Sequence, residues 1–377
     1  MSVQLRSALA ELPAYAPGRN VPGAIKLASN ELSFPPLPAV ADAIAGAVAD
    51  SSATAQSGVN RYPDNGAAAL LQKLSEATGV PTGNLIAGCG SVALCQQLVQ
   101  IVAGAEDALP QPDSPDPQLP EVVFGWRSFE AYPIVTQIAG ATPVRVPLTA
   151  DHQLDLDAMA QAVTPATRLI FLCSPNNPTG TALSAPAVEA FLDSVPSDVL
   201  VVLDEAYREF NRADNVPDGA ALALARPNVV ALRTLSKAYG LAGLRVGYAI
   251  AAPDVIAALS KVAIPFALNT LAQAAAVAAL GQCDELQPRW DEVVAERKRV
   301  TDALLAQGYQ VPPSQANFVW LPLEDDSARF SAHCEQAGVT VRGFSHANGG
   351  GVRVTIGRPD ENDAFLTAAA SFDRKER

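Results

Sequence analysis

Between residues 121 and 250 short apolar runs of β-forming residues alternate with stretches of helical period. The runs lie at 121–124, 144–147, 168–173, 199–203, 229–233 and 246–250. Leu200-Val201-Val202-Leu203 is apolar at every position, as expected of a strand covered on both faces. Helical stretches such as 186–195 and 254–262 fall between or after the runs, which predicts parallel strands joined by crossover helices. Upstream, Val40, Ile44 and Val48 recur at a spacing of four and predict a helix over 38–49, and Leu70, Leu71 and Leu74 mark a second. A short strand over 84–87 runs into a helix with Leu94, Leu98, Ile101 and Val102 on one face and Ser91 as its N-cap. Downstream the pattern changes. A long helix around 285–307 precedes short runs at Tyr309–Val311, Phe318–Leu321, Val339–Val341 and Gly351–Ile356, with a helix near 327–337. The expected fold class is therefore α/β, with a large unit over 38–274 built on a mostly parallel central sheet flanked by helices. A smaller α+β unit fills 275–377, and residues 1–37, broken by Pro13, Pro17, Pro22, Pro35 and Pro36, form an N-terminal arm. Residues 104–120, with five prolines, read as a surface loop.

Composition narrows the class of partner. The chain has 377 residues, 49% hydrophobic and 17% charged, with a net charge of −13. That balance fits a well-cored globular protein and excludes a nucleic-acid or anionic-membrane surface, since no basic excess exists to release counterions. No apolar run reaches 18 residues and the N-terminus carries no signal-peptide core, so a cytoplasmic location is expected. The five cysteines are scattered and read as reduced thiols, and the three histidines are too dispersed for a metal site.

The chemistry concentrates at the ends of the predicted strands. Thr234-Leu235-Ser236-Lys237-Ala238-Tyr239-Gly240 leads through a glycine-rich segment to Arg245. A lysine in an apolar pocket has a lowered pKa and forms a Schiff base with a carbonyl, while Ser236 and Arg245 can hold a phosphate. An aldehyde with a phosphate describes pyridoxal 5′-phosphate. Its ring nitrogen needs a carboxylate, and Asp204 stands at the end of the 199–203 run. Its phenolate oxygen needs donors, which Asn177 and Tyr207 can supply. The turn at Gly90-Ser91 opens a helix, where free N–H groups and the dipole favour an anion. The same turn loosely fits a dinucleotide fingerprint, but the required acid about 20 residues on would fall in a loop.

Taken together, Leu27-Ala28-Ser29-Asn30-Glu31, Arg61-Tyr62-Pro63-Asp64, Ser174-Pro175-Asn176-Asn177-Pro178-Thr179-Gly180, Asp204-Glu205-Ala206-Tyr207, Ser236 through Arg245 and Arg353-Val354-Thr355-Ile356-Gly357 make the chain resemble the fold-type I pyridoxal-phosphate aminotransferases. The nearest branch holds the histidinol-phosphate aminotransferases and their actinobacterial aromatic-amino-acid relatives. The resemblance implies that Lys237 bonds the cofactor aldehyde and shuttles the proton, and that Asp204 pairs with the ring nitrogen. It implies that Asn177 and Tyr207 bond the phenolate oxygen, that Ser236, Arg245, Gly90 and Ser91 hold the phosphate, and that Phe129 stacks on the ring. It further implies a homodimer with shared sites, Tyr62 reaching the partner's cofactor, and Arg353 binding the substrate α-carboxylate, with Asn30, Tyr15 and Arg342 also contacting substrate.

Two substrate classes remain at this point. Val92 stands where many histidinol-phosphate enzymes carry an acid, and the 124–132 segment looks more like the aromatic subgroup. Tyr15, Leu32, Phe34 and Trp126 are expected to make the pocket apolar, whereas Arg342 offers a possible anchor for a phosphate. Arg19 and Lys26 are not aimed inward. A lyase or decarboxylase uses the same cofactor parts, and a cofactor-binding regulator would need an attached DNA-binding segment for which the arm is too short.

Overall fold

The computed structural model describes residue 3, residue 12 and residues 18–49, 58–104, 108–110, 117–344 and 349–373. Tyr15 and most of the 104–120 loop lie outside the described residues. In chain order the elements begin with β1 (Ile25–Lys26), α1 (Pro38–Ala49), α2 (Ala68–Thr78), β2 (Leu85–Cys89), α3 (Gly90–Gln100), β3 (Glu121–Trp126), α4 (Ala131–Ala139), β4 (Thr142–Pro147) and α5 (Leu156–Gln161). Next come β5 (Thr167–Cys173), α6 (Ala185–Ser194), β6 (Leu200–Asp204), α7 (Gly219–Ala225), β7 (Val229–Thr234), β8 (Val246–Ile250), α8 (Pro253–Val262), α9 (Thr270–Leu280) and α10 (Cys283–Ala306). The chain then forms β9 (Phe318–Leu321), α11 (Ser327–Gln336), β10 (Val339–Thr340), β11 (Arg342–Phe344), β12 (Gly351–Thr355) and α12 (Pro359–Ala370).

The central sheet has seven strands in the order β2-β8-β7-β6-β5-β3-β4. The neighbours from β7 to β4 are parallel, and β6 is buried along its whole length, as its unbroken apolar run predicts. One strand departs from the parallel expectation. β8 runs antiparallel to both β7 and β2, because the segment between β7 and β8 carries only one 3₁₀ turn and no crossover helix. Since β2 opposes β8, it points the same way as β7. The carboxyl ends of β2, β3, β5, β6 and β7 therefore share one rim, the edge at which open α/β sheets bind ligands.

Local chemistry explains the helix boundaries. Asp64 Oδ2 accepts from the Ala68 N–H at 2.7 Å and opens α2, while Gly79 closes it at φ 72°. The expected cap at Ser91 is displaced by one turn position. Gly90 adopts φ 77° and is itself the first residue of α3, so Ser91 lies inside the helix and offers its backbone rather than a capping side chain. Gly247 on β8 makes this close approach possible, for a Cβ there would stand 2.4 Å from the Ser91 nitrogen.

The C-terminal part holds an antiparallel sheet, β11-β12-β9, backed by α10 and α11, on which α12 packs. The expected strand at Tyr309–Val311 does not form. Its chain runs into Pro312-Pro313, which cannot donate to a ladder, and the Tyr309 hydroxyl instead donates to the Ala369 carbonyl at 2.7 Å. The arm is not loose at its inner end. β1 pairs in parallel with β10, Ile25 opposite Val339 and Lys26 opposite Thr340. Among the described residues no helix is long and apolar enough to cross a membrane, and no group of three or more His, Cys, Asp or Glu side chains could hold a metal ion.

Candidate active site

The shared rim and the arm enclose a cavity of about 470 Å³. Ala28, Ser29 and Asn30 line it from the arm, Ser91 from α3, and Phe129 from the turn before α4. Asn177, Asp204, Tyr207, Ser236, Lys237 and Arg245 line it from the rim, and Arg342 and Arg353 from the C-terminal sheet.

Lys237 follows β7, and its Nζ donates to the Ser29 carbonyl at 3.1 Å. Burial, reinforced by the Arg353 guanidinium, brings its pKa down from 10.5 to about 7. An amine of that kind is neutral, and so nucleophilic, for a large part of the time at neutral pH.

Asp204 ends β6 and is almost fully buried. Burial lifts its carboxyl pKa from 3.8 to about 6, against the opposing pull of two hydrogen bonds. Oδ2 accepts from the Tyr132 hydroxyl at 2.7 Å and Oδ1 from the Ala206 N–H at 3.2 Å. Tyr132 is a partner of Asp204 that no local pattern in the sequence singles out. It is fully buried, stacked on Phe171 at 4.2 Å between ring centroids, and edge-on to Phe129 at 5.5 Å. The adjacent Glu205 faces away from the cavity and pairs with Arg233, Nε to Oε2 at 2.7 Å, both side chains buried. Two neighbouring acids thus point apart, one to the cavity and one to the Arg233 pair.

Asn30 is fully buried at φ 55° and takes part in a hydrogen-bond network. Its Nδ2 donates to the Tyr207 hydroxyl at 2.9 Å, and its carbonyl accepts from Asn317 Nδ2 at 3.1 Å. Arg353 on β12 donates through Nη1 to Asn177 Oδ1 and through Nη2 to the Ala28 carbonyl at 2.8 Å. Its guanidinium lies between the Phe318 and Phe344 rings, 5.5 and 5.7 Å from their centroids. Arg245, at φ 60°, lies across Gly90, where a Cβ would stand 2.5 Å from Nη2, and its Nη1 reaches Ser236 Oγ at 3.4 Å.

Pyridoxal 5′-phosphate fits these residues. The Gly90–Ser91 helix start, Ser236 and Arg245 make one cationic, donor-rich end for a phosphate. Asp204 supplies a buried acid for a ring nitrogen, and Lys237 an amine of lowered pKa for an aldehyde. Tyr62 lies elsewhere. It is 77% exposed on the surface and stacks on Phe266 at 4.5 Å, outside this chain's own cavity.

The apolar wall differs from the expected one. Trp126 faces a separate cavity with Arg145 and Pro147, Phe34 lies under the Arg289 guanidinium, and Leu32 packs on the core. Phe129, Ile134, Ile138 and Phe344 take their place around the cavity. Arg19 and Lys26 are paired with Glu335 and Glu31 at 3.1 and 2.8 Å, turned from the cavity as the sequence implies.

The sequence model of the aminotransferase class I and II family matches residues 22–368. The chain belongs to this family. The aminotransferase is 58% identical over 375 residues to an aromatic amino acid aminotransferase of Rhodococcus jostii, covering 100% of this chain and 98% of that protein. It is 56% identical over 366 residues to one of Mycobacteroides abscessus, covering 97% and 98%. Among solved structures, the aminotransferase resembles a histidinol-phosphate aminotransferase from Sinorhizobium meliloti in complex with pyridoxal-5′-phosphate. The TM-score is 0.84 and the identity 28%, over 98% of this chain and 97% of that one.

Proposed function

We propose that the aminotransferase moves an amino group between aromatic amino acids and 2-oxo acids by a ping-pong mechanism, with pyridoxal 5′-phosphate as cofactor. The observation that carries the substrate class is the cavity's lining, where Phe129, Ile134, Ile138 and Phe344 are joined by an arginine, Arg342, that already has a carboxylate partner. An aromatic side chain gains from burial against that wall at roughly 25 cal/mol per Å². The high identity to proteins named aromatic amino acid aminotransferases supports the same reading.

When bound, the cofactor supplies an aldehyde that bonds the amino group and a ring that takes up the electrons left as the α proton departs. Lys237 would hold the aldehyde through its amine, and the same amine would carry the α proton. Asp204 holds the proton on the ring nitrogen. Asn177 and Tyr207 donate to the phenolate oxygen, and Asn30 fixes the Tyr207 hydroxyl. Ser236, Arg245, Gly90 and Ser91 hold the phosphate, and Phe129 covers one ring face. Arg353, its planar fork oriented by Asn177 and Ala28, takes the substrate α-carboxylate in a two-pronged grip.

The proposal includes a homodimer with shared sites, working in the cytoplasm. Tyr62 and Phe266 stack on the surface, Val59 and Ile264 nearby in sequence are exposed as well, with Ile264 72% exposed, and a second subunit covering the stack would bring Tyr62 to that subunit's cofactor. Domain limits at residues 37 and 274 belong to the same proposal. Mixing inactive Lys237→Ala and Tyr62→Ala chains is expected to restore activity through heterodimers with one intact site, read by assay of the mixture against each parent. No recovery from a mixture that sedimentation shows to contain heterodimers would remove Tyr62 from the shared site.

The test of substrate class is turnover of phenylalanine or tyrosine with 2-oxoglutarate, set beside turnover of histidinol phosphate with the same acceptor. kcat/KM is expected to favour the aromatic donor, and the reverse order would replace this reading with the histidinol-phosphate one.

Tyr132 is expected to act through Asp204. Tyr132→Phe keeps the stack on Phe171 and removes one charge-assisted hydrogen bond. The Asp204 pKa then rises further, since that bond lowers it. Turnover should fall by about 10-fold, equivalent to about 1.4 kcal/mol. The acid limb of the visible-band titration should move to higher pH, a change that a packing role alone would not produce.

A further inference from the structure

Glu130 lies on the turn between the ring-covering Phe129 and the start of α4, and its side chain lines the cavity. Its Oε2 accepts from Arg342 Nη2 at 2.9 Å, across 212 residues of sequence. Its Oε1 stands 4.0 Å from Arg127 Nη1. The side chain gives α4 no capping hydrogen bond, so the helix start does not require this acid. The Arg342 side chain is 16% exposed, and its guanidinium packs over Phe344 at 5.5 Å from the ring centroid. An acid and a base thus meet inside the substrate cavity, where water screens them less than at the surface.

We infer that Glu130 sets the substrate class by holding Arg342 in an ion pair and so withholding it from a phosphate. The inference rests on the reading under Proposed function and deepens it. Of the three arginines lining the cavity, Arg245 and Arg353 have roles above, and Arg342 is the one left for a phosphate monoester to use. A dianion that takes Arg342 Nη2 must displace the Glu130 carboxylate, and one that binds elsewhere on the guanidinium must lie beside that negative charge. Two like charges in one partly buried site repel, and a displaced carboxylate gives up its 2.9 Å contact with Arg342. A neutral aromatic side chain leaves the pair intact and packs against Phe129 and Phe344. Discrimination here comes from a repulsive group as much as from an attractive wall.

The experiment uses the full-length holoenzyme and the first half-reaction, in which the amino donor alone bleaches the visible band, so that no 2-oxo acid enters the comparison. Phenylalanine and histidinol phosphate are titrated on wild type, Glu130→Gln, Arg342→Gln and the double variant. Glu130→Gln keeps the side chain's size and removes its charge. It is expected to shift the donor preference toward histidinol phosphate by about 10- to 100-fold. The shift should vanish in Glu130→Gln/Arg342→Gln, because the gain runs through Arg342. If wild type prefers phenylalanine and Glu130→Gln leaves the preference where it was, the role of Glu130 is overturned while the proposed function stands. That role is overturned equally if the double variant keeps the shift. If wild type already prefers histidinol phosphate, the proposed function itself fails. Circular dichroism and cofactor content of each variant guard against misfolding, and Glu130→Ala serves as the second variant should Glu130→Gln not retain cofactor.

Discussion

Lys237→Ala is expected to lower turnover by on the order of 10⁴-fold, since in the proposed mechanism it removes both the amine that bonds the cofactor and the group that carries the α proton. The fold should survive, because the side chain makes one hydrogen bond, to the Ser29 carbonyl. Borohydride treatment of the wild type should fix the cofactor to the peptide containing Lys237 and abolish the visible band, and the variant should take no label. A label on another lysine would reassign the role. The lowered pKa adds a pH signature. With a value of about 7, the Lys237 amine is protonated below that pH and neutral above it. The rate at which apoenzyme captures cofactor should therefore rise with pH through a midpoint near 7 rather than near 10.5. Stability carries the same sign. Between these two values the unfolded chain holds a proton that the folded chain lacks, so this group favours the folded state more as pH rises. Below about 7 its burial penalty is present in full.

Asp204→Asn is expected to keep cofactor binding and lose on the order of 10²-fold or more in rate. An amide cannot hold a proton on the ring nitrogen, so the ring stops drawing off the electrons released at the α carbon. Near-normal turnover would mean that another acid serves the nitrogen. The wild-type acid has a window of its own. Burial raises its pKa to about 6, so in the free enzyme the carboxylate prevails above that pH and is lost as pH falls through it. Cofactor affinity should weaken on the acid side of about pH 6, an effect that Asp204→Asn removes. Affinity titrations on both proteins between pH 5 and 8 would show it, taking roughly one unit below and two above that pKa.

Much of this site was legible because Asn177, Asp204 and Lys237 stand at or just past the ends of apolar strands, and a strand buried on both faces announces itself by composition alone. The runs leading to Asn177, Asp204 and Lys237 are of this kind, and the structure brings their ends onto one rim. The direction of β8 was not legible. Its residues are as apolar as those of its parallel neighbours, and only the missing crossover helix between Thr234 and Val246 marks the reversal. Tyr132 and Glu130 were hidden for another reason. Locally they read as the start of a helix, and their partners Asp204 and Arg342 lie 72 and 212 residues away. Hydrogen bonds of that span are products of the tertiary fold, and nothing in the spacing of residues foretells them. The pocket wall failed similarly. Trp126, the last residue of β3, faces a neighbouring cavity, while Phe344, which no local pattern singles out, closes the cavity between Arg342 and Arg353.

The pairing of β1 with β10 has a consequence for how the protein tolerates editing. Three carbonyls and amides in a row give the inner arm its purpose. The Ala28 oxygen orients Arg353, the Ser29 oxygen receives the Lys237 amine, and the Asn30 side chain sets the Tyr207 hydroxyl. All three hang from a two-residue strand anchored on the C-terminal half of the chain. The chain is in effect buckled shut near its start, and the buckle holds the machinery in alignment. A deletion reaching residue 30 would not trim a tail. It would unfasten the carboxylate grip, the amine and the hydroxyl in one cut, and a disulfide or fusion placed at this seam would act on the reaction from the chain's opposite end.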